Sequence, residues 1–451
     1  MSNKSLIFQQ ACIDAKNNGD ITNDSPMLDI FTSRIKEGKD NYCDLDLEKK
    51  RAFMLRKKAL LDIEKNLLYF ETNFNNSGGK VLWARDADDA RKMVLEIIAK
   101  ENVSSVLRSS SACLDEIALD ELLQKNNITV SETSVSRYIA KKNGPIHNTI
   151  GYPSMHFTKD DIVSLFQSYN QGALNTSKKV LNYIASDINN SMMNASIGIS
   201  GANFLISDIG AVVLSENEGN ILKMSNLVKT HIIIAGLDKI IASYEDLSLF
   251  LSLYSSHTNG KQMINYNTIM TGSDSQNVIV IILDNGRTNL MECDPQSEVM
   301  YCIHCNACSN VCPIFRSLSY DAYQSVYAGP IGSIINPLQF SKKEYSHLAQ
   351  ACTLCGKCSE VCPIDIPLTD LIISNRQLVV REQLDNPKLD SMFKQLYWVL
   401  KSRKRMEKMP LFLKKISLNH YLSGKWKNCF DLPQWSKKSF NELWRDENSE
   451  E

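Results

Sequence analysis

The sequence has no long hydrophobic run and no excess of charge of either sign. Its longest apolar stretches, such as VIVIIL at residues 278–283, are far shorter than the roughly 18 to 20 residues that a membrane-spanning helix needs. Lys and Arg number 50 and Asp and Glu number 51, which gives a net charge of -1. The sequence therefore predicts no transmembrane segment, and it has no global basic field that would attract nucleic acid.

The common nucleotide-binding and metalloprotease motifs are also absent. The segment GISGAN at residues 198–203 is too short and wrongly spaced for the G-x-G-x-x-G fingerprint of a dinucleotide fold. A P-loop and an HExxH motif do not occur. The chain therefore shows no hydride acceptor of its own, and two-electron chemistry at carbon needs a partner or a cofactor that leaves no sequence signal.

The composition that is present is typical of a soluble globular protein. The 451 residues are 43% hydrophobic and 22% charged, with 19 Gly and 12 Pro, so the chain can bury a large core. At about 100 to 200 residues per domain, this length predicts two or three domains. The first residues contain no long apolar region before the first acidic side chains, unlike a secretory signal, and we expect a cytoplasmic protein.

Four regions follow one another along the chain. Residues 1–45 are polar without sustained periodicity and predict a mobile or partner-dependent arm. Residues 46–292 begin with one long amphipathic helix over 46–73 and then alternate strands and helices, which predicts an α/β domain with a mostly parallel or mixed sheet. Residues 293–385 hold most of the cysteines, and residues 386–451 form a helical, basic tail.

Eight of the 13 cysteines lie between Cys302 and Cys362, in one motif written twice. The blocks CIHCNACSNVCP and CTLCGKCSEVCP both have the spacing C-x2-C-x2-C-x3-C-P of bacterial two-cluster ferredoxins. In that signature the first three cysteines of a block bind one [4Fe-4S] cluster and the fourth binds the other. The spacing therefore predicts cluster I on Cys302, Cys305, Cys308 and Cys362, and cluster II on Cys352, Cys355, Cys358 and Cys312.

Zinc is the main alternative to iron and sulfur, because zinc also takes four cysteine thiolates. A zinc site does not explain the third cysteine and the Cys-Pro of each block. About forty residues separate the blocks, including the helical SKKEYSHLAQA, so we expect a helical ferredoxin domain and not the minimal compact ferredoxin. The five scattered cysteines are interpreted as free thiols.

Polar residues near glycine in the α/β region form a second candidate site. Ligands of open α/β sheets tend to lie beyond the carboxyl ends of strands, and an arginine fork suits a carboxylate. We therefore single out Glu218 and Arg287 as candidate catalytic or ligand-facing residues. The other polar residues of this site are Asn203, Glu216, Asn220, His231 and Asn285. The alternative is that NEGN and DNGR are tight turns with solvated side chains, and that His231 is a structural histidine at a strand end.

Further stretches accompany the cysteine blocks: NSGGKVLWARDADDA, GISGANFLISDIGAVVLSENEGN, THIIIAGLDKI, ILDNGR and RSLSYDAYQSVYAGPIGSIINPL. With these segments the chain resembles the iron-sulfur subunit of the three-component bacterial L-lactate utilisation system, the LutB type. The resemblance implies a lactate-utilisation domain of the sugar-phosphate isomerase and CoA-transferase type of α/β fold, followed by a helical ferredoxin domain with two [4Fe-4S] clusters. The chain departs from the family pattern near His156 and at Asp208, so neither residue is assigned a substrate role.

The same resemblance implies a function in electron transfer. It points to a complex that oxidises L-lactate to pyruvate with two partner proteins, and L-lactate or an electron carrier is a candidate ligand of this chain. Two alternatives stay open. In one, the α/β domain performs its own acid-base or transferase-type chemistry with Glu218 as acid or base, and the clusters act as a sensor. In the other, the chain is a non-catalytic assembly scaffold with structural clusters.

The C-terminal tail concentrates positive charge. Residues 401–428 contain nine Lys or Arg and one acidic residue, with apolar and aromatic side chains interleaved. A basic amphipathic segment of this kind docks an acidic partner or lies on an anionic lipid surface, and long Lys stems also cover ordinary solvated helix faces. Docking of a partner is the favoured interpretation, with a solvated face and peripheral membrane contact as the alternatives.

Overall fold

The computed structural model describes residues 2–17, 26–144, 157–169, 174–273, 276–318, 320–382, 384, 387–403, 405, 438 and 440–447. The strands are β1 (Lys80–Ala84), β2 (Ser105–Arg108), β3 (Thr129–Glu132), β4 (Ile197–Gly201), β5 (Phe204–Ile206), β6 (Ala211–Glu216), β7 (Thr230–Gly236), β8 (Ile240–Ile241), β9 (Tyr266–Met270) and β10 (Asn277–Leu283). The helices are α1 (Asn3–Asn17), α2 (Pro26–Lys39), α3 (Leu45–Leu61), α4 (Ile63–Asn76), α5 (Ala87–Glu101), α6 (Ala112–Glu116), α7 (Leu119–Lys125), α8 (Val135–Asn143), α9 (Lys159–Tyr169), α10 (Ser177–Asn194), α11 (Asn220–Leu227), α12 (Leu247–Thr258), α13 (Arg287–Met291), α14 (Ala307–Asn310), α15 (Pro313–Leu318), α16 (Gly329–Gln339), α17 (Lys342–Ala351), α18 (Lys357–Val361), α19 (Leu368–Arg381), α20 (Pro387–Leu400) and α21 (Phe440–Glu447).

The main sheet has six parallel strands in the order β1-β10-β7-β4-β2-β3. Its central strands β7 and β10 are buried over nearly their whole length, as near-continuous apolar runs predict. Successive side chains of β7 point to opposite faces, so Ile232 and Ile234 pack with α5, α6 and α7, whereas Ile233 and Ala235 pack in the core on the other side. The predicted α/β fold is confirmed.

The direction of the chain reverses inside this sheet. After β2 the chain moves outward to the edge strand β3, then returns to β4 on the other side of β2 and continues to β7 and β10. Neighbouring strands β2 and β4 therefore have connections that lead in opposite directions. Open α/β sheets bind ligands at such a reversal point, beyond the carboxyl ends of the strands.

A second sheet of four strands, in the order β8-β5-β6-β9, lies beside the first. It mixes parallel and antiparallel pairs, since β5 pairs with β8 in parallel and with β6 antiparallel. The apolar AVVL run is covered on both faces as predicted, but it belongs to this smaller sheet. The sequence pattern indicates strands here without indicating which sheet each strand joins, because that depends on partners far away in the chain.

Four helices precede the first strand, where the sequence predicts an arm and one long helix. Asp44 accepts a hydrogen bond from the Leu47 N–H at 3.0 Å and caps α3, and the chain breaks at Asp62 so that the expected helix is two helices, α3 and α4. Within the expected polar arm, α1 buries Phe8 and α2 buries Ile35. The helix α1 contacts α17 and α2 contacts α12, so both helices pack on segments far away in the sequence, and the local pattern of residues 1–45 does not indicate them.

The cysteine blocks lie among the helices α14 to α19, which pack directly on the α/β domain. One apolar core runs through both parts, because Cys305 and Ile331 belong to the same buried cluster as Ile233 and Phe70. None of the described helices is long and apolar enough to cross a membrane. Most of the basic segment 401–428 lies outside the described residues, and the docking role predicted for that segment stays a prediction.

Candidate functional site

The two cysteine blocks fold in the same way. His304 and Leu354 stand two residues after the first cysteine of each block, with φ of 55° and 56°. Their backbone N–H groups donate to the sulfur of Cys302 at 3.2 Å and of Cys352 at 3.3 Å. Hydrogen bonds to sulfur favour the thiolate. The repeated spacing therefore produces a repeated loop that turns N–H groups toward its own thiols.

Four cysteines form what we call the buried set, in which Cys302 is half-buried and the other three are buried: Cys302, Cys305, Cys308 and Cys362. They line one cavity with about 490 Å³ of empty space, a volume that includes open solvent at its mouth, and its other walls are mainly apolar side chains such as Ile303 and Ile331. Burial raises the pKa of each of these thiols, to about 12 for Cys362, and other thiols of the set raise the pKa of Cys305, Cys308 and Cys362 further. The fold thus brings the fourth cysteine of the second block to the first three cysteines of the first block.

The remaining four cysteines form the surface set: Cys312, Cys352, Cys355 and Cys358. Cys355 is exposed, Cys312 and Cys352 are half-buried, and only Cys358 is buried. Burial raises the pKa of Cys312 to about 11, and its nearby thiols are those of Cys352 and Cys358. The fourth cysteine of the first block therefore lies with the first three cysteines of the second.

The donor chemistry of both sets fits iron-sulfur clusters, whose irons are held by cysteine thiolates. Buried thiols around a shared space repel one another when ionised, and iron relieves that repulsion. Among the described residues, no three His, Cys, Asp or Glu side chains converge as ligands of a single metal ion. The thiols of the buried set line one shared space, which is the arrangement that a cuboidal cluster with a cysteine sulfur on each iron requires.

Buried cations surround the buried set. Arg56 donates to four backbone carbonyls, including those of the two residues just before Cys302, and burial lowers the pKa of Arg56 to about 10. Lys49 donates to the Glu360 carbonyl at 3.1 Å and favours the thiolate of Cys362. Lys239 likewise favours the thiolate of Cys302. Positive charge from the helix α3 and from the segment after β7 therefore offsets negative charge at these thiols.

Arg287 is buried, with 2% of its surface exposed, and every donor of its guanidinium is engaged. It forms a fork with Glu116 at 2.8 Å for each Nη, and its Nε donates to Asp238 at 2.6 Å. The two remaining N–H groups donate to the Asp284 carbonyl at 3.0 Å and the Tyr327 hydroxyl at 3.1 Å. No donor is left for a ligand carboxylate, so the geometry does not support the ligand-facing role predicted for Arg287.

The Arg287 network joins the α/β domain to the cysteine region. Glu116 also accepts from Asn285 at 2.7 Å, from Tyr327 at 2.7 Å and from Gln339 at 3.0 Å. Burial alone raises the pKa of Glu116, but Arg287 and these hydrogen bonds hold that pKa below its usual value. The result is a fully satisfied buried ionic network across the domain junction.

A polar cleft lies beyond the carboxyl ends of β2, β4 and β7, where the sheet topology predicts a ligand site. It contains about 1160 Å³ of empty space that opens to solvent. Ser111 follows β2, Gly201 ends β4 and Lys239 follows β7, and all three line the cleft. His304 lines both this cleft and the cavity of the buried set. The cleft is therefore in direct contact with the first cysteine block.

The NEGN segment supplies both a turn and part of the cleft wall. Glu216 is buried and accepts from the N–H groups of Ile221 and Leu222 in the first turn of α11, at 2.9 and 2.7 Å, and Gly219 adopts φ of 71°. Glu218 lies at the rim and accepts from the Val135 N–H at 2.9 Å. Burial raises the pKa of Glu218 above its usual range, and that hydrogen bond opposes the rise. Glu216 thus caps a helix, whereas Glu218 and Asn220 line the cleft.

Two other predicted residues have structural roles. His231 is fully buried, its Nε2 lies 2.8 Å from the Ser200 hydroxyl, and burial lowers its pKa to about 4. Asn285 adopts φ of 45° in the DNGR turn and donates to Glu116. The interpretation of His231 as a structural histidine and of DNGR as a tight turn agrees with these contacts, but the solvated side chain expected of a turn is wrong for Arg287, which is buried.

The remaining polar candidates divide by position. Asn203 lines the cleft and accepts from the Ser215 N–H at 2.9 Å. Asp208 accepts from the Ser243 hydroxyl at 2.8 Å and from the Tyr244 N–H at 3.0 Å, and so stabilises a turn. His156 lies outside the described residues.

Several residues of the site were missed by the sequence analysis. Asp238 and Lys239 lie two and three residues after the end of the buried strand β7, so the rule about strand ends also indicates them in THIIIAGLDKI. His304 stands inside the cysteine motif, where only the cysteines were considered. Glu116 and Arg56 occur in segments without a motif, and their roles depend on partners distant in the sequence.

Comparison with known proteins assigns the two halves of this site to two domain families. The LUD domain matches residues 68–292, and the 4Fe-4S dicluster domain matches residues 298–366. The chain is 33% identical to Lactate utilization protein B 1 of Bacillus mycoides (strain KBAB4) over 73% of this chain and 70% of that protein. It is 32% identical to Lactate utilization protein B of Bacillus subtilis (strain 168), again over 73% and 70%.

A more distant relative covers more of the length. Lactate utilization protein B of Bacillus cytotoxicus is 26% identical over 92% of both chains. A solved structure of a DUF162 family protein from Deinococcus radiodurans covers 51% of this chain and 98% of its own, at 12% identity and a TM-score of 0.27, which is too low to support an argument. The chain carries a 4Fe-4S dicluster domain behind a LUD domain, and it belongs to the family of the lactate utilization B proteins.

Proposed function

We propose that this chain is the iron-sulfur electron-transfer subunit of a multi-protein complex that oxidises L-lactate to pyruvate. The observation that carries the proposal is the position of His304, which lines both the polar cleft and the cavity of the buried set. In the surface set, the side chain of Cys355 is exposed to solvent. The cysteine region is therefore approachable from two separate places. The names of the relatives support lactate as the substrate of the complex.

We assign cluster I to the buried set and cluster II to the surface set. The support is the identity of the thiols near each fourth cysteine. Cys302 raises the pKa of Cys362, whereas Cys352 and Cys358 raise the pKa of Cys312. When bound, two [4Fe-4S] clusters supply one-electron acceptance and release. Lactate oxidation removes two electrons and two protons, so we assign the chemistry at carbon to partner proteins, two of them as in the systems that this chain resembles.

The test is anaerobic reconstitution of the full chain with its partner proteins, followed by cluster absorbance after addition of L-lactate. We expect bleaching by L-lactate only when the partners are present, in a chain that binds about eight irons. Cys43→Ser, at an exposed cysteine outside both sets, is the matched control and should behave like the unmodified chain. Clusters that dithionite cannot reduce would refute the proposal and leave the scaffold alternative.

One observation favours a second candidate function, in which the α/β domain performs its own acid-base chemistry. Glu218 lines the same cleft as Lys239, and burial raises the pKa of Glu218. A general base must be ionised, so activity that depends on Glu218 would fall as the pH drops through this raised pKa, and Glu218→Gln would remove that acid limb. Bleaching by L-lactate without partners, with this pH dependence, would favour the second candidate over the first.

A further inference from the structure

The charges around the cleft are paired, with one exception. Glu216 is occupied by the N–H groups of α11, Glu218 by the Val135 N–H, and Asp238 by Arg287 and His304. Lys239 is 9% exposed and lines the cleft, but among the described residues it forms no hydrogen bond and no ion pair. The wall of the cleft therefore presents one ammonium that has no direct hydrogen-bond or ion-pair partner, with the carboxylate of Asp238 as its neighbouring opposite charge.

That charge lies at the reversal point of the sheet. Lys239 follows β7, while Ser110 and Ser111 follow β2 and Asn203 follows β4, so three neighbouring parallel strands deliver their next residues to one place. Gly201 permits this closeness, because a Cβ atom at that position would lie 2.0 Å from the Ser111 hydroxyl oxygen. Besides Lys239, the groups that these three strands deliver to the cleft wall are thus neutral hydroxyls and an amide.

We propose that this cleft binds a small 2-hydroxy- or 2-oxo-carboxylate, with its carboxylate on Lys239 and its second oxygen facing the Ser110 and Ser111 hydroxyls. This inference rests on the proposed function, which it deepens by giving L-lactate or pyruvate a place on this chain. A single ammonium matches a single carboxylate charge. A phosphate would draw on helix N–H groups as well, and those of α11 are occupied by Glu216.

The position of Lys239 also connects a bound carboxylate to the first cysteine block. Lys239 acts on the thiol of Cys302, and the neighbouring His304 joins the cleft to the buried set. A carboxylate held on this ammonium would lie on the cleft side of the buried set and change its electrostatic surroundings. Binding of the small acid would then be sensed at the first cysteine block without any movement of the chain.

The experiment is anaerobic titration calorimetry on the iron-loaded full chain without partners, with L-lactate, pyruvate, L-lactamide and inorganic phosphate as separate probes. L-lactamide has the shape of L-lactate without its charge. We expect L-lactate or pyruvate to bind, and L-lactamide to bind roughly tenfold more weakly or worse, a difference of about 1.4 kcal/mol. Equal affinity for L-lactate and L-lactamide, or tighter binding of phosphate than of both carboxylates, would overturn the inference.

Variants locate the binding group. Lys239→Met should weaken carboxylate binding roughly tenfold or more and Lys239→Arg should restore part of it, at iron contents equal to that of the unmodified chain. Lys229→Met is the matched control, because Lys229 is exposed and lies at the opposite end of β7 with Glu101 as its partner. Unchanged binding in Lys239→Met would refute the assignment. If that variant does not fold, the comparison of L-lactate with L-lactamide on the unmodified chain decides.

The two proposals fail in different ways. If neither carboxylate binds, yet L-lactate still bleaches the clusters when partners are added, this inference is wrong and the proposed function stands. If a carboxylate binds through Lys239 but L-lactate never reduces the clusters in the presence of partners, the site exists and the proposed function is wrong.

Discussion

The buried set and the surface set are built from the same spacing but stand in different surroundings. Both blocks fold into the same loop, with matched backbone angles at His304 and Leu354. His304 faces Asp238 and the cleft, whereas Leu354 is exposed. The comparison shows that a repeated motif determines local geometry, while segments far away in the chain determine the environment of each copy.

The two environments also differ in charge. Arg56, Lys49 and Lys239 act on thiols of the buried set. The thiol of Cys312 is influenced mainly by burial, backbone N–H groups and neighbouring thiols, and Cys358 also by the Thr369 hydroxyl. Reduction adds negative charge, which burial disfavours and nearby cations favour. The buried set therefore depends on its cations in a way that the surface set does not.

Substitution of either fourth cysteine has the largest expected effect on the two sets. Cys362→Ser should remove the cluster of the buried set, although Cys362 belongs to the second block, and Cys312→Ser should remove the cluster of the surface set. Each variant should fall from about eight irons to about four, measured by anaerobic iron analysis with electron paramagnetic resonance of the remaining cluster. Loss of the Cys352, Cys355 and Cys358 cluster in Cys362→Ser would contradict the crossed assignment.

The Arg287 network at the junction of the α/β domain and the cysteine region gives the next largest expected effect, a loss of stability. Arg287→Met leaves Glu116 and Asp238 as buried carboxylates without their cation, which should lower the free energy of unfolding by about 3 to 5 kcal/mol. Urea denaturation of the iron-loaded chain measures this change. Arg85→Met, at an exposed arginine paired with Asp89 at 2.7 Å, is the control and should cause no measurable change. Equal effects of the two variants would show that the junction network does not stabilise the fold.

The outcome for Arg287 illustrates what the sequence allows one to predict. Arg287 was placed correctly at the end of an apolar strand, in a turn with Asn285 and Gly286. Its partners Glu116 and Tyr327 are 171 and 40 positions away, so no local pattern indicates that its donors are already occupied. Burial of a polar side chain depends on tertiary contacts, and for that reason the sequence predicts positions near a site more readily than roles.

The secondary-structure elements show the same difference between local sequence signals and tertiary contacts. The apolar runs of β7 and β10 and the cysteine spacing are local signals, and they predict the strands and the two-cluster motif directly. The helix α1 has only a weak local pattern. Its buried Phe8 packs on the distant Tyr323, with ring centroids 5.7 Å apart, so the contact that holds the helix is a tertiary one. The break at Asp62 and the second sheet were also missed, since both depend on packing between segments distant in sequence.

A smaller effect is expected when the first block is converted toward the second. His304→Leu removes the hydrogen bond at 3.0 Å between the His304 ring and Asp238, while the loop keeps the backbone form that Leu354 shows is compatible with leucine. We expect both clusters to be retained and the free energy of unfolding to fall by roughly 1 to 2 kcal/mol. Leu354→His, at the exposed position, should leave stability unchanged. Iron loss in His304→Leu would mean that the histidine is needed to assemble the buried set.

The smallest expected effect concerns reduction potential. Lys49 is buried and favours the thiolate of Cys362, and glutamine at this position can still donate to the Glu360 carbonyl without the charge. Removal of a nearby cation makes reduction less favourable, so Lys49→Gln should lower the potential of the buried set by on the order of 1 kcal/mol, a few tens of millivolts for one electron. A redox titration followed by electron paramagnetic resonance separates the two clusters, and the potential of the surface set should not move. Lys50→Gln, at the exposed neighbouring lysine, should shift neither potential. Equal shifts at both clusters in Lys49→Gln would contradict the electrostatic difference between the two sets, because a charge that acts locally on Cys362 must distinguish them.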